Sequence, residues 1–197
     1  ADGKILIAGD TNTQPLGAIA GSNSVNYGIV RLNKDGSLDT AFGANGKTIL
    51  DLGVNSTDQA CSVLALADGS ILIAGTTNLR INGTLGTTTN LAIVRLQPNG
   101  LLDQSFGNKG KVVLEMGAGK VTAAKSMTVE ADGRILITGS TKYQTDATTD
   151  IVVARLNPDG TLDTSFNTAS SLDAKATITR GAAGLILDTS VRLVDPD

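Results

Sequence analysis

The stretch Asp68-Gly-Ser-Ile-Leu-Ile-Ala-Gly75 decides the fold, because close copies of it occupy Asp2–Gly9 and Asp132–Gly139. The starts of the three copies are 66 and then 64 residues apart. In each copy an Asp-Gly pair comes before three aliphatic residues, and a second glycine ends the motif. Self-similarity at a fixed period of this kind is typical of repeat architectures. The sequence therefore predicts three tandem repeats.

Two further motifs follow each copy in the same order. One runs from Val30, Val94 and Ala154 through Arg-Leu to a turn, and it ends on a phenylalanine in all three cases. The other opens on a lysine, with 64 residues between successive copies. Each repeat thereby contains four short β-like runs, which in the middle copy are Cys61–Leu66, Ser70–Ala74, Leu91–Leu96 and Lys111–Met116.

Glycine-containing turns separate these runs. Asp68-Gly69 lies between the first and second runs, and Asp-Gly between apolar runs is a strong hairpin signal. The pair predicts a type I′ turn, in which both central residues have positive φ. A second turn follows the third run, at Asp35-Gly36, Asn99-Gly100 and Asp159-Gly160.

The pattern within the strands indicates how the sheets are buried. Ile71-Leu72-Ile73 does not alternate between apolar and polar residues, and neither do Ile5–Ile7, Ile135–Ile137 or Ile151–Val153. A sheet with one wet face would alternate, so both faces of these strands should be covered. No segment shows a convincing helical period, which leaves other sheets as the cover. We therefore predict an all-β fold, a propeller-type array of four-stranded antiparallel blades.

The blade boundaries predicted within this single repeat domain, residues 1–197, are approximately 1–60, 61–120 and 121–181. Residues 182–197 are expected to form the inner strand of a further blade or of the first one, because Ser190–Asp197 matches the first run of a repeat. Three blades are fewer than the roughly four to eight of typical rings. The alternatives are further repeats in a larger ring, which we favour, a second chain that completes the ring, or an open array.

The consensus formed by these motifs resembles the delta-60 repeat family. It reads Asp-Gly-[Lys/Ser/Arg]-Ile-Leu-Ile-[Ala/Thr]-Gly, followed by [Val/Ala]-Arg-Leu-[Asn/Gln]-x-[Asp/Asn]-Gly-x-Leu-Asp-x-[Ala/Ser]-Phe. The resemblance covers essentially the whole chain. That family is a propeller-type repeat found in large secreted or surface proteins, chiefly of bacteria, and it has no assigned catalytic residues. The resemblance therefore implies a propeller-type fold and an extracellular setting. The third copy departs from the pattern, because Asn167 stands where the others have Gly43 and Gly107.

Composition excludes several classes of function. The chain has no histidine and a single cysteine, Cys61, which argues against Ser-His and Cys-His catalysis and against zinc sites within this segment. Cys61 lies in an apolar run and is expected to be a buried structural thiol. The net charge is −3 without any basic run, which argues against nucleic-acid binding. No apolar stretch approaches the length of a membrane helix. We predict no catalytic residues, no metal and no cofactor.

The repeated polar residues leave alternatives open. Asn33, Asp35 and Asp39, with their third-repeat counterparts Asn157, Asp159 and Asp163, vaguely resemble calcium loops. We favour instead turns in which Asp or Asn bonds its own backbone, followed by a capping Asp and an anchoring Phe. The middle copy has Gln97, Asn99 and Asp103 at these positions. Arg31, Arg95 and Arg155 form either a ligand-binding ring or structural pairs with the nearby turn Asp, and repetition in every blade favours pairing.

The copies diverge most between the second and third runs, at Asp10–Tyr27, Thr76–Asn90 and Ser140–Asp150. These are predicted loops that either bind a partner or are merely solvated. The function expected from the sequence is a non-enzymatic extracellular module, a scaffold or interaction surface in a larger secreted or cell-surface bacterial protein. The alternatives are a fragment of a propeller hydrolase or lyase acting on polysaccharide, and a calcium-stabilised segment of adhesin type.

Overall fold

A computed structural model of the chain describes residues 3–15, 24–53, 55–79, 85–117, 119–166, 186–188 and 191–192. Strands make up all of the regular structure in these ranges, and they include no helix long and apolar enough to cross a membrane. The strands are β1 Ile5–Thr11, β2 Asn26–Leu32, β3 Lys47–Leu50, β4 Asp58–Ala65, β5 Ile71–Leu79, β6 Leu85–Leu96, β7 Lys111–Leu114, β8 Lys120–Val129, β9 Ile135–Tyr143, β10 Asp150–Leu156, β11 Ile186–Asp188 and β12 Val191–Arg192.

The strands form three antiparallel blades in chain order. Blade 2 has the four strands predicted for a repeat, with β4, β5, β6 and β7 paired as consecutive antiparallel neighbours. Blade 1 consists of β1, β2 and β3, and blade 3 of β8, β9 and β10. Single parallel bridges join neighbouring blades, Val25 to Thr57 and Thr89 to Val121. The prediction of antiparallel four-stranded blades is confirmed for the middle repeat.

Two of the predicted runs fall largely outside the described residues. The fourth run of the third repeat, Lys175–Arg180, lies there entirely. Within the predicted inner strand at 182–197, only β11 and β12 are described, and they pair with each other in antiparallel orientation.

The hairpin turns differ from the predicted type I′ geometry. At Asp68-Gly69 only the glycine has positive φ, at 83°. The Gly69 amide donates to the Leu66 carbonyl, and the Leu66 amide donates to the Ser70 carbonyl. This is a three-residue loop in which a β-turn is followed by one left-handed residue. The prediction was wrong because Asp-Gly suits either geometry, and here the turn begins one residue earlier.

The predicted loops are shorter than the sequence divergence suggested. Thr76–Asn90 was expected to be a loop, but β5 runs to Leu79 and β6 begins at Leu85, with Thr77 paired to Asn90. In blade 3, β9 likewise extends to Tyr143. Thr and Asn are compatible with the ends of twisted hairpins, so polar composition alone did not separate loop from strand. Most of the segment predicted as a variable loop in blade 2 is therefore part of the sheet.

The core lies between the blades, in two layers. Between blades 1 and 2, Tyr27 and Ile29 pack with Ile71 and Ile73, and all four side chains are at most 1% exposed. Between blades 2 and 3, the equivalent residues of the next junction form a second cluster, which includes Leu91, Ile93, Ile135 and Ile137. Blades stacked face to face therefore bury both faces of the middle sheet, as the unalternating strands predicted.

The outer strands of the array depart from that prediction. Ile5 and Ile7 of β1 are 46% and 51% exposed, and Ile151 of β10 is 48% exposed. Each of these side chains points away from blade 2, toward a face that no described residue covers. The prediction that all such strands are covered on both faces was wrong for these positions, because it holds only where a blade has a neighbour on each side.

Candidate functional site

The repeated arginines are paired with the turn aspartates, as the sequence predicted. The Nε of Arg31 lies 2.7 Å from Oδ2 of Asp39, and the equivalent distance is 2.7 Å for Arg95 and Asp103. In blade 3, Arg155 Nε lies 2.8 Å from Asp163 Oδ2. Each pair links the end of the third strand to the turn that follows it. The arginines therefore do not form a ring of unpaired cations.

A phenylalanine packs against each guanidinium. The Cζ atoms of Arg31, Arg95 and Arg155 lie 4.5, 4.7 and 4.5 Å from the ring centroids of Phe42, Phe106 and Phe166. An arginine over an aromatic face within about 6 Å is attracted by the ring quadrupole. Phe42 and Phe106 are fully buried, which confirms their predicted role as anchors, whereas Phe166 is only partly buried.

The same residues also reach the next blade, which the sequence did not reveal. Arg31 donates from Nη1 to the carbonyl of Pro98, and Arg95 donates from Nη1 to that of Pro158, at 2.6 Å in the second case. The amides of Gly43 and Gly107 donate to the carbonyls of Asn99 and Asp159, at 2.8 and 2.7 Å. We call the Arg, Asp, Phe and following residue of one blade the latch, and the Pro98–Gly100 or Pro158–Gly160 turn of the next blade the acceptor turn.

The acceptor turns are shaped by their own side chains and by glycine. Asn99 Oδ1 accepts from the Leu101 amide at 3.0 Å, and Asp159 Oδ1 accepts from the Thr161 amide at 2.9 Å. These bonds confirm the prediction that the turn residue bonds its own backbone. A Cβ on Gly100 would lie 2.8 Å from the Phe42 ring, so the glycine leaves room for the latch of the preceding blade.

Hydrogen bonding and charge keep the latch carboxylates ionised. The Ser165 hydroxyl and amide, with the Arg155 guanidinium, lower the pKa of Asp163 to about 2. The hydroxyl of Ser105 and the guanidinium of Arg95 likewise lower the pKa of Asp103. For Asp39 the main cause of its lowered pKa is Lys4, whose Nζ lies 2.6 Å from Oδ2.

These pKa shifts predict an acid-sensitive fold. A carboxylate whose folded-state pKa lies below its unfolded value stabilises the fold above that unfolded value. Its contribution is lost as the pH falls through the folded pKa. We expect the urea midpoint to fall between about pH 4 and pH 2 because of the latch carboxylates, and Asp163→Asn to flatten that part of the profile. An unchanged profile in the Asp163→Asn chain would contradict this role.

One other buried carboxylate was not singled out by the sequence. Asp58 accepts hydrogen bonds from the Thr77 hydroxyl, the Ser56 hydroxyl and the Leu52 amide, at 2.6, 2.8 and 2.9 Å. Burial raises its pKa, in the opposite direction from the latch carboxylates. Blade 3 has Thr122 at this position, bonded to Thr141 at 2.9 Å. Different residues form a buried polar contact at the same position in blades 2 and 3, which indicates that Asp58 has a structural role.

A cavity of about 530 Å³ lies between blades 1 and 2. Lys4, Arg31, Leu66 and Pro98 are among its lining residues. Both cations are already paired with Asp39, and Arg31 also bonds to Pro98. Within the described part of the chain, no three Cys, Asp or Glu side chains are grouped so that they could hold a metal ion. The polar groups at this cavity thus serve the latch.

Cys61 is exposed, and the prediction of a buried thiol was wrong. The register between β4 and β5 shifts between Ala60 and Ser62, so Cys61 is the extra residue of a β-bulge. Such a residue is left out of the ladder and its side chain is re-aimed. Blade 3 has the same shift between Ala124 and Ser126, where Lys125 is also exposed.

The bulge predicts that Cys61 reacts in the native chain. Because its side chain is exposed, we expect stoichiometric labelling by a maleimide without denaturant. Partial desolvation raises the pKa of the thiol, so labelling at pH 7 should be slower than that of a free cysteine peptide. Mass spectrometry of the native and the urea-unfolded chain measures both quantities. Labelling only after unfolding would show that the thiol is buried.

A family model described as a beta-propeller domain of unknown function (DUF5122) matches residues 1–42, 66–106 and 130–166, which together make up more than half of the chain. The chain belongs to this family. The match confirms the β-propeller class of the fold. Each matched segment of the DUF5122 chain ends on a latch phenylalanine, so it contains both the acceptor turn and the latch up to that residue. No curated protein matches the chain.

The sequence signal for the latch was present in the spacing of the DUF5122 repeat. Arg and Phe are separated by the same number of residues in every repeat, from Arg31 to Phe42, Arg95 to Phe106 and Arg155 to Phe166. The acceptors are backbone carbonyls, which leave no side-chain signature. The pairing within a blade was therefore predictable, and the contact with the next blade was not.

Proposed function

We propose that this β-propeller domain is a non-enzymatic module, a scaffold or interaction surface within a larger secreted or cell-surface bacterial protein. Further repeats of the parent protein or a second chain complete its ring. The finer family assignment, to the delta-60 repeat, and the extracellular setting that it implies are part of the same proposal. The coarser statement, a propeller repeat domain of unknown function, rests on the family match.

One observation carries the proposal: the residues that recur in every blade make contacts that hold the blades together. Arg95 illustrates this, because its guanidinium contacts Asp103, Phe106 and the Pro158 carbonyl at once. A catalytic group must instead be directed at a substrate and within hydrogen-bond reach of it. The repeated chemistry of this chain is therefore accounted for by assembly of the array.

One surface available to a partner lies at the end of a hairpin. In blade 3, Tyr143 is 49% exposed at the end of β9, and the Nζ of Lys120 lies 5.3 Å from its ring centroid. An exposed tyrosine on a rigid strand is a common element of protein interfaces. This end of the blade supports an interaction role without identifying the ligand.

A propeller hydrolase or lyase acting on polysaccharide is the first alternative. A hydrolase of this kind would require a pair of carboxylates about 5–9.5 Å apart facing the sugar. Turnover of any member of a polysaccharide panel, lost on replacement of one Asp by Asn, would favour this alternative. We expect no turnover by the wild-type chain.

Calcium stabilisation is the second alternative, and it leads to a prediction. The Oδ1 atoms of Asp35 and Asp159 already accept hydrogen bonds from Ser37 and Thr161, at 2.6–3.0 Å. A bound calcium ion would stabilise the fold by mass action, so its removal by EDTA would lower the melting temperature. We propose that no such ion is bound, and we therefore expect EDTA to change the melting temperature by less than about 1 °C. Differential scanning calorimetry with EDTA and with added calcium makes the comparison. A calcium-dependent rise would support the adhesin-type alternative.

The location is tested on the source cells. An antibody raised against the folded chain should label intact cells or detect the parent protein in the culture medium. Labelling that requires permeabilised cells, with antigen only in the soluble cell extract, would overturn the extracellular assignment. A known cytoplasmic protein, probed in parallel, controls for lysis.

A further inference from the structure

Blade 1 presents an apolar face with no cover among the described residues. Ile5 and Ile7 are about half exposed, whereas the equivalent Ile71 and Ile73 of blade 2 are at most 1% exposed. Side chains alternate along a strand, so Leu6 packs toward blade 2 while its two neighbours point to the opposite side. Blade 1 therefore shows the surface that blade 2 uses to pack on the blade before it.

Blade 3 presents the complementary surface. Ile151 is 48% exposed, although Tyr27 and Leu91, which occupy the same register position in blades 1 and 2, are fully buried. In those blades this position packs against the isoleucines of the following blade. The outward face of blade 3 is thus the kind of surface that Ile5 and Ile7 would cover.

The latch elements are likewise divided between the two ends. Arg155 and Phe166 form a latch on blade 3, where Phe166 is only partly buried. The matching acceptor turn of blade 1 is Lys34–Gly36, and no described atom lies within 4 Å of a Cβ placed on Gly36. At the occupied turns, the equivalent Cβ on Gly160 would lie 2.9 Å from the Phe106 ring.

We propose that a second copy of this chain docks head to tail, with blade 3 of one copy against blade 1 of the other. Ile151 then packs on Ile5 and Ile7, and the blade 3 latch contacts the Lys34–Gly36 turn. The inference rests on the proposed role as a scaffold, and it names the partner. A second copy is the occupant because one chain carries both halves of a junction that it already forms twice internally.

Charge and symmetry fit this arrangement. The pKa of Asp159 in the occupied acceptor turn is lowered mainly by hydrogen bonds from Thr161 and to a smaller extent by the charge of Arg95. Asp35 would lie near Arg155 in the same way. Two copies that dock in this way would be related by a twofold axis, with blade 3 of each copy against blade 1 of the other. Twofold dimers of this kind, in which the same residues of both copies form the contact, are the commonest form of soluble homo-oligomer.

The test is the mass of the chain in solution, measured by sedimentation velocity from about 1 to 100 µM with a reducing agent that prevents disulfides through Cys61. We expect a dimer. Ile7→Asp should weaken self-association at least tenfold and leave the circular dichroism spectrum unchanged, because the side chain is exposed. Ile151→Asp should do the same from the other face. Leu101→Asp, at a 60% exposed residue on neither face, is the matched control and should dimerise as wild type.

Mixing the two variants sharpens the result. Ile7→Asp retains the blade 3 face and Ile151→Asp retains the blade 1 face, so an equimolar mixture can form one intact junction. We expect a heterodimer in the mixture, and monomer in a solution of either variant alone. A wild-type chain that is monomeric at 100 µM, or dimers that survive both substitutions, would overturn the proposal. Neither result would bear on the extracellular scaffold role, which is tested on cells.

Discussion

Gly75→Ala is expected to destabilise the fold by about 3 kcal/mol or more, although it adds only a single methyl group. A Cβ at this position would overlap the Gln59 carbonyl oxygen and lie 2.6 Å from the Tyr27 hydroxyl. Gln59 belongs to β4, whose bulge at Cys61 brings its backbone close to β5. Neither the strand nor the buried tyrosine has room to move. Urea denaturation followed by circular dichroism measures the loss.

The matched control is Gly9→Ala, the same substitution at the same position in blade 1. No described atom lies within 4 Å of a Cβ on Gly9, because no described strand pairs with that edge of β1. Alanine also costs less than glycine in a strand, so we expect no destabilisation and a gain of up to about 1 kcal/mol. Gly139→Ala should resemble Gly75→Ala, because its Cβ would overlap the Ala123 carbonyl oxygen. Equal effects at Gly9 and Gly75 would contradict the explanation.

This contrast shows why the glycine is repeated. The sequence places it at the end of the Ile-Leu-Ile motif in all three copies, where it could have marked a turn. In blades 2 and 3 it lies within the second strand of the repeat and faces a bulge in the first. Glycine is required here because the backbone of the neighbouring strand comes close, and a single motif read by itself could not reveal that contact.

The sequence predicted those features that depend on local pattern. The strands of the middle repeat, the Arg95–Asp103 pair and the burial of Phe106 follow from periodicity and from the cost of burying an unpaired charge. The exposure of Cys61 did not follow, because the apolar run around it carries no sign of a bulge. The exposure of Ile5 did not follow either, because it depends on whether another blade is present.

Phe106→Ala is expected to cost about 3–5 kcal/mol, as is typical when a buried aromatic ring is removed from a core. The ring is fully buried, packs on Arg95 and lies against Gly160 of the next blade. Its loss would open a cavity at the junction and remove the support of the guanidinium. Phe106→Leu keeps most of the volume and loses the ring electrostatics, so we expect a smaller cost of about 1 kcal/mol. Calorimetry or urea denaturation gives both values.

Phe166→Ala removes the same ring from the latch of blade 3, which contacts no acceptor turn among the described residues. In an Ile7→Asp background, where copies do not dock, it should cost less than half as much as Phe106→Ala, because the ring is only partly buried. In the wild-type background the two costs should approach each other if a second copy covers Phe166. The difference between the destabilisation in the two backgrounds therefore separates the stability that the latch contributes within one blade from the stability that it contributes across a junction. If changing the background altered the destabilisation equally for Phe106→Ala and Phe166→Ala, this division would be contradicted.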